Sequence, residues 1–139
     1  MINANTYTQP QHNHTEVSLN LEEKIHEYCE GDTEMYYELA GLYKGSFSEL
    51  HDKFNQFITT HDLAGFRFLA HKLHSSIELL SLQQLRTYFT IIRNYLENPE
   101  NTQKPDHVIQ SINAMTAQIL QELNAIIKRG YEENKESAS

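Results

Sequence analysis

The sequence predicts an all-α fold, an antiparallel up-down four-helix bundle with a short N-terminal capping helix. Between residues 17 and 130, apolar residues recur every three or four positions, as they do in amphipathic helices. Five glycines and three prolines leave few sites for the tight turns that many short strands require. The 139 residues, of which 39% are hydrophobic, are enough for one domain with one modest core.

The first predicted helix is short and places Leu21, Ile25 and Tyr28 on one face. Asn20 and Glu23 stand at capping-box spacing, in which two side chains satisfy backbone N–H groups at a helix start. We interpret this helix as a cap on the bundle.

Four longer amphipathic helices follow, and their short connections favour antiparallel neighbours. The apolar stripe of the second helix continues to about residue 59. Residues typical of helix ends separate the four helices. They are Gly31-Asp32 before the second helix, Asp62 before the third, Asn98-Pro99 after the fourth, Pro105-Asp106 before the fifth and Gly130 after it.

Both ends of the chain lack apolar periodicity. We therefore expect residues 1–16 to be a disordered leader, residues 17–130 to form the bundle and residues 131–139 to be a disordered tail. His12 and His14 form an H-x-H pair in the leader, and we interpret them as solvated side chains rather than metal ligands.

The composition excludes several classes of protein. No apolar run approaches the roughly 20 residues that a bilayer-spanning helix needs, and no secretory signal follows Met1, so we expect no membrane association. Cys29 is the only cysteine and cannot form an internal disulfide, which indicates the cytoplasm. A net charge of −8 argues against nucleic-acid binding. We expect a monomer, because the apolar stripe of each helix is buried within the one bundle.

One segment of this acidic chain is basic. Residues 63–96 carry a net charge of +3, whereas the remainder of the chain carries −11. The charged residues of the segment are Arg67, Lys72, Glu78, Arg86 and Arg93. A basic surface on an acidic protein is suited to an anionic partner.

The spacing of the third helix places His71 in solvent. At about 100° per residue, its apolar residues cluster in one direction and His71 points about 140° away from them. Phe68 also lies opposite the core, and an exposed aromatic side chain indicates a docking surface. We include Arg67, Glu78 and Arg86 in this predicted surface.

The segment Ala70-His71-Lys72-Leu73-His74-Ser75-Ser76 resembles the signature of histidine-containing phosphotransfer (HPt) domains. That signature has the form Ala-His-x-Leu-Lys-Gly-Ser on a bundle helix, followed by Leu-Gly and another helix. Gly31-Asp32, Phe47 and Asp62 also match the family layout, and the resemblance covers residues 17–128.

The resemblance implies a phosphorelay intermediate in which His71 accepts and donates a phosphoryl group. The implied partners are a response-regulator receiver domain, a hybrid histidine kinase, or both. Such domains carry phosphate without catalytic machinery of their own, and the receiver's divalent metal supplies much of the charge neutralisation. We expect no cofactor or metal ion on this chain. An exposed imidazole suits this chemistry because it is largely neutral and nucleophilic at neutral pH.

The sequence departs from the family pattern at three positions. The usual lysine three residues after the acceptor is His74, the next residue is Ser75 instead of glycine, and the later glycine is Ser81. In the family, a polar residue 19 or 22 positions after the acceptor lies within reach of the imidazole, and those positions are Thr90 and Arg93. We therefore hypothesise that Arg93 replaces the missing lysine, helped by Lys72 and Arg86.

Three other interpretations of the sequence remain open. The departures at His74 and Ser75 favour an HPt-like docking module that binds receivers or another protein without phosphotransfer. A helical adaptor would instead bind its partner through the face that carries Phe68. A metal site would use His71 and His74, but these residues supply only two ligands. The sequence contains no motif of an enzyme active site. Glu23-x-x-His26 has the spacing of one ligand pair of a di-iron bundle, but the second Glu-x-x-His pair that such a bundle requires is absent.

Overall fold

A computed structural model of the chain describes residues 17–138, with the side chains of residues 17–133. These residues form five α-helices and no strand, so the prediction of an all-α fold is confirmed for them. The predicted leader, residues 1–16 with His12 and His14, lies outside the described residues. The helices are α1 (Leu21–Cys29), α2 (Thr33–Thr59), α3 (Leu63–Leu79), α4 (Gln83–Glu97) and α5 (Asp106–Ala138).

Two aspartates begin α2 and α3, as the sequence predicts. The Asp32 carboxylate accepts a hydrogen bond from the Met35 N–H at 3.0 Å, and the Asp62 carboxylate accepts one from the Gly65 N–H at 2.9 Å. Each bond satisfies a backbone donor that has no partner within its own helix. These caps fix where both helices start.

The connection between α3 and α4 contains a residue in the left-handed region, Ser81 at φ 54°. The Leu82 N–H donates to the Ile77 carbonyl at 3.0 Å, and the Ser81 N–H donates to the Glu78 carbonyl at 3.1 Å. This is the Schellman pattern of helix termination, which favours glycine at the left-handed position. Ser81 therefore stands at a site where the resembled family has glycine, and it carries a backbone strain of about 1 kcal/mol.

The start of α1 differs from the prediction. Asn20 adopts φ 57° and its side chain makes no capping bond, so the predicted capping box with Glu23 is wrong. Glu122 of α5 takes its place, because its carboxylate accepts from the Leu19 N–H at 2.8 Å and from the Leu21 N–H at 3.3 Å. A side chain about one hundred positions away in sequence therefore caps α1.

The five helices bury one shared hydrophobic core. α2 packs against α5 and α3, α4 packs against α3 and α5, and α1 packs against α2, α5 and α3. Tyr28, which the sequence places on the apolar face of the first helix, is instead 54% exposed, and Leu42 of α2 is 66% exposed. Within residues 17–138, no helix has both the length and the hydropathy to cross a membrane.

α5 continues beyond Gly130 to Ala138, whereas the sequence pattern predicts a helix end at Gly130 and a disordered tail after it. Gly130 is buried, and a Cβ built on it would lie 2.6 Å from ring atoms of Tyr37. The Tyr37 hydroxyl donates to Glu133 Oε1 at 2.7 Å, which raises the pKa of Tyr37. The glycine thus admits the Tyr37 ring against α5 instead of ending the helix.

We predict that Gly130→Ala lowers the free energy of unfolding by about 1–3 kcal/mol, because the new methyl group displaces the packed Tyr37 ring. Gly45→Ala is the matched control. Its Cβ would meet nothing within 4 Å, so its better helix propensity raises the free energy of unfolding by about 0.5–1 kcal/mol. Urea denaturation measures both variants. Stabilisation by both substitutions would contradict the close approach of Tyr37.

Candidate functional site

The buried face of α3 determines which of its side chains reach solvent. Phe66, Leu69, Leu73 and Ile77 are all buried, with at most 4% of each side chain exposed. His71 lies on the opposite, exposed side of the helix, as the spacing predicts. All ten site residues that the sequence analysis proposes are exposed. They are Arg67, Phe68, His71, Lys72, His74, Ser75, Glu78, Arg86, Thr90 and Arg93.

A groove of about 390 Å³ lies between α3 and α4. Basic and polar side chains form its rim, and apolar side chains form its floor. The rim consists of Arg67, His71, His74, Arg86, Thr90 and Arg93. The floor consists of Phe66, Ala70, Ile77 and Phe89. The structure thus brings together six of the ten candidates around one cavity.

Positive charge in this groove is only partly compensated. Among the residues that the structure describes, no carboxylate lines the groove. Arg86 forms an ion pair with Glu78 at 2.5 Å and donates to Gln83 Oε1 at 2.6 Å. Arg67 and Arg93 form no ion pair within residues 17–133. Two guanidinium groups are therefore available to an anion.

Two side chains set the local geometry of the α4 wall. The Thr90 hydroxyl donates to the Arg86 carbonyl at 3.3 Å, so Thr90 offers the groove an acceptor oxygen and not a free donor. The ring of Phe89 meets the ring of Phe66 edge to face, with their centroids 5.3 Å apart. This contact joins the two helices beneath the groove.

The opposite flank of α3 faces α2 and holds Lys72. Lys72 Nζ lies 2.7 Å from Glu49 Oε1 and 5.7 Å from the centroid of the exposed Phe68 ring. The hydrogen bonds from Lys72 and then Lys53 hold the pKa of Glu49 below its ordinary value. Since Lys72 is directed towards α2 and does not line the groove, the geometry does not support the prediction that Lys72 assists Arg93.

The remaining candidates surround the groove without lining it. Ser75 and Phe68 are exposed on α3, and Phe68 is 68% exposed. Glu78 holds Arg86 at one end of the groove. The sequence did not indicate a role for Glu49, since nothing in the local pattern pairs a glutamate on α2 with a lysine 23 residues later. His71 and His74 both line the groove, but no group of three or more His, Cys, Asp or Glu that could hold a metal ion occurs in the described part of the chain.

We predict that Lys72→Gln raises the pKa of Glu49 more than Lys53→Gln does, because Lys72 makes the shorter of the two hydrogen bonds. A carboxyl-carbon NMR titration of the two variants measures the difference. The lowered pKa of Glu49 implies a contribution to stability that is present above the ordinary carboxyl pKa and is lost as the pH falls through the lowered value. An unchanged titration in Lys72→Gln would show that Lys72 is not held by Glu49.

Comparisons with known proteins add no family to these observations. No protein-family model, no curated protein and no solved structure matches the chain. A function for the chain must therefore be argued from the groove and from the motif on α3.

Proposed function

We propose that this chain is a phosphorelay intermediate that accepts a phosphoryl group on His71 and donates it to an aspartate of a receiver domain. One observation carries the proposal. The exposed imidazole of His71 lines a groove that also contains three arginines and, within the described residues, no carboxylate. An imidazole is the nucleophile and the arginines supply positive charge for the transferred group.

The proposal includes the bundle architecture, with α2 to α5 arranged antiparallel and α1 as a cap. The packing pairs support it, because α2–α3, α3–α4, α4–α5 and α5–α2 form a closed ring. Asn55 near the end of α2 exchanges two hydrogen bonds with Asn113 near the start of α5. Tyr37 near the start of α2 bonds to Glu133 in the last part of α5. These contacts fit two helices that run in opposite directions.

The proposed chemistry is a direct phosphoryl exchange between two side chains. The His71 Nε2 lone pair forms the N–P bond while the P–O bond to the receiver's aspartate breaks, and the aspartate leaves as a carboxylate. In this proposal Arg93 and Arg67 neutralise the phosphoryl oxygens, because both line the groove and neither is held by a carboxylate of the described residues. The chain supplies position and charge, so it needs no acid–base machinery of its own.

The partner surface in this proposal is the exposed side of α3. Phe68 and Lys72 form an apolar and basic patch on the α2 flank, next to His71 in the helix. Ser75 adds a small side chain beside them. We propose that a receiver domain, a hybrid histidine kinase or both dock here, and that the chain acts as a cytoplasmic monomer that binds no nucleic acid.

We predict that a phosphorylated receiver domain transfers acid-labile, alkali-stable label to the wild-type chain and not to His71→Gln. The reason is that the phosphoramidate of a histidine is acid-labile and alkali-stable, whereas an acyl phosphate is labile in alkali and the phosphate esters of serine, threonine and tyrosine are stable in acid. His107→Gln, which removes an exposed histidine outside the groove, is the matched control and keeps the label. If the wild type binds the receiver without acquiring label, phosphotransfer is wrong and the docking-module interpretation replaces it.

We predict further that Arg93→Ala slows phosphotransfer at least about tenfold, since it removes a charge-assisted contact to the phosphoryl oxygens. His74→Ala has a smaller effect, because an imidazole supplies positive charge only when it is protonated. Rapid-quench measurements of the label on His71 give both rates. Lys44→Ala, which removes a basic side chain outside the groove, is the control. Small and equal effects at Arg93 and His74 would eliminate Arg93 as the replacement for the family's lysine.

A further inference from the structure

The groove between α3 and α4 offers contacts that a phosphoryl group alone does not use. Its volume of about 390 Å³ falls in the range of small-molecule sites, roughly 300–1,000 Å³. A phosphoryl group on His71 would engage the basic rim. The groove-facing atoms of the four apolar floor residues would make no contact with that group.

The floor is preorganised for a flat apolar group. Phe66 and Phe89 are 1% and 7% exposed, and their edge-to-face contact fixes both rings. Ala70 and Ile77 continue the floor along α3. Because these side chains are held by the core, an apolar ligand would meet an existing surface and would not have to order one.

The rim above this floor selects for negative charge. Arg67 and Arg93 are free of ion pairs within the described residues, and their planar guanidinium groups match the geometry of phosphate oxygens. Arg86 is partly neutralised by Glu78 at one end of the groove. An apolar floor under a cationic rim is the combination that recognises a molecule with one apolar and one anionic part.

We propose that the groove is a binding site for a small phosphomonoester with an aromatic body, whose ring lies on the floor and whose phosphate meets Arg67 and Arg93. His71 lines the same groove, so the bound molecule covers the imidazole. Binding therefore regulates phosphotransfer by competition, and this regulatory part rests on the proposed function. The binding part does not depend on it.

Phenyl phosphate tests the binding part, with inorganic phosphate standing for its anionic half and benzyl alcohol, an uncharged aromatic molecule, standing for its aromatic half. Isothermal titration calorimetry and amide NMR shifts of the full chain measure affinity and location. We expect phenyl phosphate to bind more tightly than either half and to shift amides of α3 and α4. Equal affinity for inorganic phosphate would overturn the role of the floor, and shifts outside these helices would overturn the site.

Two substitutions with opposite expected signs test the rim. Arg93→Gln weakens phenyl phosphate binding about tenfold, because it removes a charge-assisted contact. Glu78→Gln strengthens binding about threefold, because it frees Arg86 from its ion pair. Lys44→Gln is the control outside the groove, and urea denaturation confirms that each variant folds. An equal loss in Lys44→Gln and Arg93→Gln, or a weakening in Glu78→Gln, would overturn the proposed rim.

The labelling assay with a phosphorylated receiver tests the regulatory part. Saturating phenyl phosphate slows the appearance of label on His71 in the wild type, whereas benzyl alcohol does not. A wild type that labels at the same rate with phenyl phosphate bound would overturn competition and leave the binding site standing. A chain that binds phenyl phosphate but never acquires label would overturn the proposed function alone, so the two failures are distinguishable.

Discussion

Burial of the Phe66 ring between Phe54 of α2 and Phe89 of α4 fixes the rotation of α3 about its own axis. The ring centroids lie 6.3 Å and 5.3 Å away. Burying one such ring stabilises the fold by about 1.5–3 kcal/mol, more than an exposed, solvent-screened ion pair such as Lys72–Glu49 contributes. The aromatic contact therefore sets the orientation of α3, and the ion pair follows from it. The exposure of the His71 imidazole to solvent depends on this orientation of α3.

Two carboxylates form ion pairs with two of the four lysine and arginine side chains of residues 63–96. Glu49 holds Lys72 on the α2 flank, and Glu78 holds Arg86 at the end of the groove. What remains along the groove is the positive charge of Arg67 and Arg93. An acidic protein thus keeps a local basic site by where its carboxylates lie, and the net charge of the chain does not reveal that site.

Features that depend on local sequence were predictable, and features that depend on distant contacts were not. The caps at Asp32 and Asp62 and the outward direction of His71 follow from spacing along one helix. The pairing of Lys72 with Glu49 requires knowing how α2 and α3 face each other. Gly130 is ambiguous in sequence, because a glycine can end a helix or admit a neighbouring ring, and only the position of Tyr37 decides between them.

The capping of α1 by Glu122 has a consequence for the order of folding. α1 has nine residues, which is too few to hold a helix in water without outside contacts. The N–H of its first residue, Leu21, donates to Glu122 of α5, about one hundred residues later in the chain. A ribosome must therefore synthesise α5 as far as Glu122 before α1 can acquire this cap, so the capped form of α1 arises only after most of the chain has been made.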